Sequence, residues 1–333
     1  MDTYLHSDNH LHTPPKISVC IPTFNTARYL AEAIESVLGQ TFTDYELVVY
    51  DDASTDETPE VMRRFADPRL RYVRSEHNLG QAGAWDRCVS LASGEYVALL
   101  HADDVYLSGF LDQRVSVLDA NPTVGLAFGA VQLIDQNGVA TAEKQFAGCD
   151  TIWPAPQFLG TLLLDCVIYP PSVMIRRDCY RIVGGFNDAY YWGIDWDFWL
   201  RLAANYGVAY SSRIAAAYRV HLASATPAAF SMARTSSDGL EILNQIFRKI
   251  DQTPALSDYR ILREPAYRTF AMRALSAAGY TCEKGIMHAA RTHLHYALSA
   301  APTLRSRPTV WVIWLASYLG SWLYRGFCSI RRP

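Results

Sequence analysis

The sequence predicts an α/β protein with a mostly parallel mixed sheet flanked by helices, followed by a helical C-terminal region. Three observations carry that expectation. Over the first hundred residues, short apolar runs of β type alternate strictly with helical patterns. Polar clusters follow those runs at their carboxyl ends. After about Ser236 the helical pattern continues to the C-terminus with no further strand signal.

Ile17 to Ile21 is an unbroken apolar run ended by Pro22, as a buried strand would be. Ala27 to Leu38 has helical spacing, with Leu30, Ile34 and Val37 on one face. Tyr45 to Tyr50 is a second strand, Asp56 through Phe65 a short helix, and Leu70 to Val73 a third strand. Trp85, Cys88, Val89 and Ala92 mark a helix closed by Gly94, and Tyr96 to Leu100 is a fourth strand. Further on, Val124 to Ile134, Ser172 to Ile175, Val208 to Ser211 and Ala215 to Val220 read as strands, and Asp195 to Asn205 as a helix. These elements divide the chain into a loose tail over 1–16, a sheet-based domain over 17–235 and a helical region over 236–333.

In parallel α/β sheets, ligands bind beyond the carboxyl ends of the strands. Thr23 and Asn25 follow the first strand, Asp51 and Asp52 the second, Asp103 and Asp104 the fourth. Three clusters distant in sequence therefore converge on one rim. A carboxylate pair meets a diphosphate only through a divalent cation, so Asp103 and Asp104 fit Mg2+ or Mn2+. Taken alone, the pair reads more readily as a cap on the helix expected over Ser108 to Leu118. A carboxylate at Asp51 or Asp52 could accept the imide N–H of uracil or thymine, or simply build the Asp-Ala-Ser-Thr turn. Asp195 and Asp197 lie among aromatic residues, where desolvation raises a carboxyl pKa and suits it to take a proton from a hydroxyl. A helix cap at Asp195 is compatible with that role.

Composition narrows the alternatives. Of 30 Lys and Arg residues in the 333-residue chain, seven lie from Lys284 onward, a stretch holding none of the 33 Asp and Glu. The first 283 residues therefore carry a net charge of −10, and the basic end suggests an anionic surface as partner. Seven cysteines without a CxxC pair point to a reducing, cytoplasmic compartment, and Met1 to Lys16 has no apolar signal core. His6, His10 and His12 read as part of a disordered tail rather than a metal site. There is no GxxxxGK[ST] loop, no GxGxxG after a strand, no GxSxG elbow and no HExxH helix. No nucleic-acid recognition motif accompanies the basic end, so nucleic acid is not an expected partner. A sugar-nucleotide-forming enzyme would need a glycine-rich basic loop after the first strand, and Pro22 to Tyr29 has only Arg28.

Taken together, ISVCIPTFN (17–25), ELVVYDDASTDET (46–58), HNLGQAGAWDRCVSLASGEYVALLHADD (77–104), PPSVMIRR (170–177), GGFNDAYYWGIDWDFWLRLA (184–203) and YRVH (218–221) resemble the family-2 inverting glycosyltransferases with the GT-A fold. The resemblance implies a nucleoside-diphosphate-sugar donor, with UDP or dTDP favoured, and a hydroxyl acceptor on a glycan or lipid-linked glycan. It places Pro22, Thr23, Asn25 and Gly80 in the donor pocket, Asp52 on the base and His221 near the diphosphate. It assigns ribose and metal to Asp103 and Asp104, and the catalytic base to Asp195. Two positions depart from the family pattern: His101 stands where a first Asp is common, and Ile194 where a Glu precedes the base. These departures keep a non-catalytic nucleotide-sugar-binding scaffold as the alternative, with His101 read as structural rather than as a ligand.

Pro308 to Tyr324 is seventeen residues without a charge, rich in Trp and Tyr and flanked by Arg305, Arg307 and Arg325. Three readings fit: a helix lying in a membrane interface, a helix packed on the body, or a short span. The first would make the protein peripheral on the inner face of the cell membrane.

Overall fold

The computed structural model describes residues 3–5, 13–221 and 225–331. His6, His10 and His12 lie outside the described residues. The chain divides into two compact units. The first comprises 1–159, 167–188 and 198–221; the second comprises 160–166, 189–197 and 222–333. The division after His221 falls earlier than the boundary expected at 235, and two short segments of the sheet-based half belong to the second unit.

The first unit opens with β1 (Thr3–Leu5), β2 (Ile17–Thr23), α1 (Ala27–Leu38), β3 (Tyr45–Asp51), α2 (Thr58–Met62), β4 (Leu70–Arg74), α3 (Gly80–Ser90) and β5 (Tyr96–Leu99). Then come β6 (Val105–Tyr106), α4 (Phe110–Ala120), β7 (Val124–Ile134), β8 (Ala140–Lys144) and β9 (Thr151–Trp153). The chain then passes through α5 (Leu159–Leu164), most of which belongs to the second unit, to β10 (Met174–Arg176), α6 (Arg177–Val183), α7 (Ile194–Ala203), whose first turn belongs to the second unit, and β11 (Gly207–Arg219). Along the sheet the order is β1-β4-β3-β2-β5-β10-β7-β11-β6, with β8 on β7 and β9 on β11. The block β4-β3-β2-β5 is parallel, as the alternation of strand and helix predicts. Beyond β5 the sheet is mixed: β10 runs antiparallel to both neighbours, while β11 is parallel to β7.

Strand β2 is buried at every position, which explains its unbroken apolar run. Its alternate residues serve two cores. Ile17, Val19 and Ile21 join Leu30, Ile34 and Val37 of α1 and Phe110, Leu111 and Leu118 of α4. On the opposite face, the Cys20 thiol donates to the Cys88 carbonyl of α3 and Cys88 donates to the Val48 carbonyl. Helices thus cover both faces of the parallel block.

Four details differ from the sequence expectations. Residues Thr3–Leu5 pair antiparallel with β4, so at these positions the backbone of the tail is held by an edge strand with unpaired groups to offer. The two strands expected over 208–220 are one strand, β11, with an irregular register between Ser211 and Ala216. Polar β8 is exposed throughout, and without an apolar face it gave no periodic signal. Two short helices, α5 and α6, were also absent from the sequence reading.

The second unit is helical among its described residues: α8 (Ala225–Ser231), α9 (Arg234–Gln252), α10 (Arg263–Glu283), α11 (Met287–Ala300), α12 (Pro308–Leu319) and α13 (Ser321–Arg331). Gly320 breaks the apolar stretch into two helices at φ +115°, a conformation that disfavours any side chain. No helix among the described residues is long and apolar enough to cross a membrane.

Gly94 shows how tightly the parallel block is joined. Its N–H donates to the Ser18 hydroxyl at 2.8 Å, and an added Cβ would stand 2.6 Å from the Ser18 nitrogen and 2.7 Å from the Ile17 carbonyl carbon. Backbone cannot yield as a flexible side chain would, so Gly94→Ala is expected to destabilise the fold by about 2 kcal/mol. A urea-unfolding midpoint equal to that of the wild type would contradict this.

Candidate functional site

The carboxyl ends of β2, β3 and β5 meet as the topology requires, and Thr23 lies beside Asp51 in the parallel register. Asn25 adopts φ +53°, within the left-handed region that Asn tolerates. From there its Oδ1 accepts the Thr55 N–H at 2.7 Å, while its own N–H donates to the Ser54 hydroxyl. The Thr23 and Thr26 hydroxyls share a hydrogen bond, and the Asp52 N–H reaches the Thr23 carbonyl. These contacts stitch the first two rim loops together, so Thr23 and Asn25 shape the loops.

The two aspartates after β3 divide their work. Asp51 is fully buried and builds the turn: Oδ1 accepts the Ser54 N–H and Oδ2 the Tyr72 hydroxyl at 2.6 Å. Asp52 accepts the Leu79 N–H at 2.8 Å, binding the start of α3 to the rim. Burial raises its pKa, partly offset by the backbone donors of Leu79 and Gly80. Gly80 begins α3 at φ +74° with open space where a Cβ would be, so conformation rather than crowding calls for glycine.

After β5 the chain turns tightly, the Asp104 N–H returning to the His101 carbonyl. His101 stacks on Trp85 of α3 with ring centroids 4.7 Å apart. Asp103 Oδ2 lies 2.9 Å from His221 Nε2, and Asp104 Oδ1 accepts the Arg219 N–H at 2.8 Å. The following helix begins at Phe110 after Gly109, so Asp103 and Asp104 do not cap it. They face the end of β11 instead.

Donor atoms of His101, Asp103 and Asp104 lie within 4.8 Å of one another. Two buried atoms of this trio, His101 Nε2 and Asp104 Oδ2, have no hydrogen-bond partner. Burial lowers the His101 pKa, against the opposing charge of Asp103. Burial also pushes Asp103 upward, but the hydrogen bond with His221 and the charges of His101 and His221 outweigh it and hold the carboxyl below its usual range. Burial, reinforced by the Asp103 charge, drives Asp104 well above it. One imidazole and two carboxylates with two orphaned atoms fit a divalent cation, which would relieve the crowding of negative charge. His101, read from sequence as structural, is both packed on Trp85 and a member of this donor group.

Arg219 holds the arrangement, and sequence reasoning missed it. It is buried, with Nε donating to the Asp103 carbonyl at 2.7 Å, a terminal nitrogen paired with Glu32 of α1 at 2.6 Å, and its guanidinium over Tyr29. A charged residue closing the apolar run from Ile214 to Tyr218 was the available signal. Asp86 was missed too. It accepts the Phe186 N–H at 2.9 Å, and a Cβ on Gly185 would meet its carboxylate at 2.5 Å, which accounts for the small residue in GGF.

Asp195 belongs to the second unit, in the first turn of α7. Its Oδ1 accepts the N–H of Trp196, whose indole donates to the Leu162 carbonyl at 2.8 Å. The preceding loop is fastened by Asp238 of α9, which accepts the N–H groups of Tyr191 and Trp192 and pairs with Arg234. Desolvation raises the Asp195 pKa above its ordinary value of 3.8, against the lowering effect of backbone donors. This is the environment expected of a carboxylate that must accept a proton near neutrality.

The family model Glycosyl transferase family 2 matches residues 18–197, which include both aspartate pairs and Asp195. An uncharacterized glycosyltransferase of Methanocaldococcus jannaschii is 28% identical over 195 residues, covering 57% of this chain and 66% of that protein. The UDP-Glc:α-D-GlcNAc-diphosphoundecaprenol β-1,3-glucosyltransferase WfgD of Escherichia coli is 27% identical over 188 residues, or 56% of this chain and 69% of that one. Matches of this kind span less than two thirds of several relatives, the archaeal one included. Among solved structures, S. aureus TarS in complex with UDP-GlcNAc superposes with a TM-score of 0.57 at 16% identity, over 87% of this chain and 91% of that one. The mannosyltransferase PcManGT from Pyrobaculum calidifontis, in complex with GDP-Man and Mn2+, gives 0.52 at 22% identity over 95% and 84%. With more than half its length matched, in segments that carry the rim and Asp195, the chain belongs to glycosyl transferase family 2 and has the GT-A fold.

Proposed function

We propose that the protein is an inverting glycosyltransferase that moves a hexose from a UDP- or dTDP-sugar to a hydroxyl of a glycan or lipid-linked glycan. The observation that carries the reading is the trio of buried Asp104 with half-buried His101 and Asp103 at the rim, with two buried donor atoms lacking a hydrogen bond. Its relatives lend the substrate classes: WfgD is named for a UDP-glucose donor and a diphosphoundecaprenol-linked acceptor, and PcManGT was solved with a nucleotide sugar and Mn2+.

In this reading Asp52 selects the base, while Pro22, Thr23, Asn25 and Gly80 frame the nucleotide pocket. Asp103 and Asp104, with His101, hold Mg2+ or Mn2+, and one of the aspartates also serves the ribose. A cation bound there supplies charge neutralisation for the departing diphosphate. His221, hydrogen-bonded to Asp103, would serve the diphosphate. Asp195 accepts the proton of the acceptor hydroxyl as its oxygen attacks the anomeric carbon. The bond from that carbon to the diphosphate oxygen breaks in the same displacement, and the configuration inverts. The departure at His101 does not abolish a donor set, since imidazole nitrogen is itself a ligand atom.

Thermal unfolding of the purified chain with a panel of nucleotides tests the donor half. UDP or dTDP is expected to raise the midpoint, more so with Mn2+, and Asp104→Asn to remove the metal-dependent part. A well-folded sample shifted by no nucleotide would overturn the reading.

Asp195→Asn is expected to keep the nucleotide-induced shift and lose turnover by about a hundredfold or more, the scale of a general base. Turnover near wild type would remove Asp195 from the mechanism. Tight nucleotide binding by the wild type with no transfer to any acceptor would favour a scaffold.

The raised Asp195 pKa also sets a pH limb. A base is active only when deprotonated, so kcat/KM should fall as pH drops through the raised value, at higher pH than for an ordinary Asp. An acid limb at the ordinary Asp value of 3.8 would contradict the assignment.

A further inference from the structure

The C-terminal helices of the second unit present a surface that the sugar-transfer reading does not use. On α12, Val310, Ile313, Ala316 and Ser317 are buried, the small Ala316 meeting Cys282 and Ala290. The opposite arc is exposed and almost wholly apolar. Trp311 is 55% exposed, Trp314 46%, Leu315 43%, Tyr318 64% and Leu319 61%, and Trp322 follows at 68% just past the Gly320 break. At 100° per residue the five α12 positions share one face, so they form a single strip.

Local bonds turn ring area outward. The Trp311 indole donates to the Arg305 carbonyl and the Trp322 indole to the Leu319 carbonyl, leaving the rings themselves as the exposed surface. The first of these bonds also sets Arg305 beside the strip. Arg291 lies 5.0 Å from the Tyr318 ring, and Arg325 donates to the Glu283 carbonyl at the end of α10. From Lys284 onward there are seven Lys or Arg and no acidic residue; Glu283 is the last carboxylate side chain.

We propose that this strip is a docking face for an anionic lipid surface, with α12 lying in the headgroup region rather than crossing it. Tryptophan and tyrosine rings favour the boundary between headgroup and acyl chain, Leu315 and Leu319 reach the apolar side, and the arginines match the lipid charge. Charge decides against a second copy of the chain, because two such faces would bring like charges together. The twelve residues of α12 are too few to span a bilayer, which needs about twenty.

The test is co-sedimentation of the full chain at low salt with phosphatidylcholine vesicles and with vesicles that also contain phosphatidylglycerol. The wild type is expected to pellet with the anionic vesicles at least about tenfold more strongly, and added salt to weaken it. Trp311→Ser combined with Trp314→Ser should lower binding about tenfold or more, and Arg305→Gln about fivefold. Both changes lie on exposed positions, so urea midpoints and nucleotide-induced thermal shifts should match the wild type. Those two readouts separate a failure of this proposal from a failure of the donor site. No pelleting by the wild type, equal pelleting by the double variant, or a dimer in ultracentrifugation that the double variant abolishes without any vesicle binding would each overturn it.

Discussion

The burial of β2 on both faces is the constraint from which the donor half follows. A strand covered by α1 and α4 on one side and α3 on the other leaves little room for polar side chains along its length. Ser18 is tolerated because Glu46 and the Gly94 N–H satisfy its hydroxyl. Polar chemistry is displaced to the strand ends, and the parallel pairing of β3, β2 and β5 puts those ends on one edge. Register then does the rest: with Thr23 opposite Asp51, the two following loops are close enough for Asn25 to grip Thr55.

The rim is consequently a place where charge is held against its own desolvation cost. Asp51 is neutralised by a hydroxyl, a backbone N–H and nearby Arg74, all within the fold. Asp104 has the Arg219 N–H on one oxygen and no hydrogen bond on the other, where His101 Nδ1 stands 3.9 Å away. The contrast between two buried aspartates in one unit tells more than burial alone. Asp51 has its partners in place within the fold, whereas Asp104 keeps an oxygen without a hydrogen bond, which is why the proposed cation site rests on it.

Much of the parallel block was legible because hydrophobic periodicity is a local property. Ile17 to Ile21, Tyr45 to Tyr50 and Val124 to Ile134 each announce themselves in a few residues, and the observed strands β2, β3 and β7 fall on them. What escaped were features created by pairs far apart in sequence. Arg219 acquires its meaning from Asp103 and Glu32, at separations of 116 and 187 residues, and no window of sequence contains those partners. Asp51 and Asp52 looked interchangeable for the same reason: Tyr72 and Leu79, which distinguish them, lie outside the motif. Exposed β8 escaped for want of a periodic apolar face, and α5 because six residues are too few for the spacing of Leu159, Leu162 and Leu163 to stand out.

The C-terminal stretch is a different kind of ambiguity. Composition alone could not choose among a packed helix, an interfacial helix and a span, because all three require apolar residues and differ in what covers them. Gly320 at φ +115° removes the continuous helix that a span would need. The remaining two readings are then not exclusive. The small residue Ala316, with Val310, Ile313 and Ser317, packs inward, while the bulky aromatics stay outside. A helix destined only for packing would carry its largest side chains on the inner arc, where their burial stabilises most. Here the sizes are reversed, so the helix is seated on the unit by its small side and offers its large side to something else.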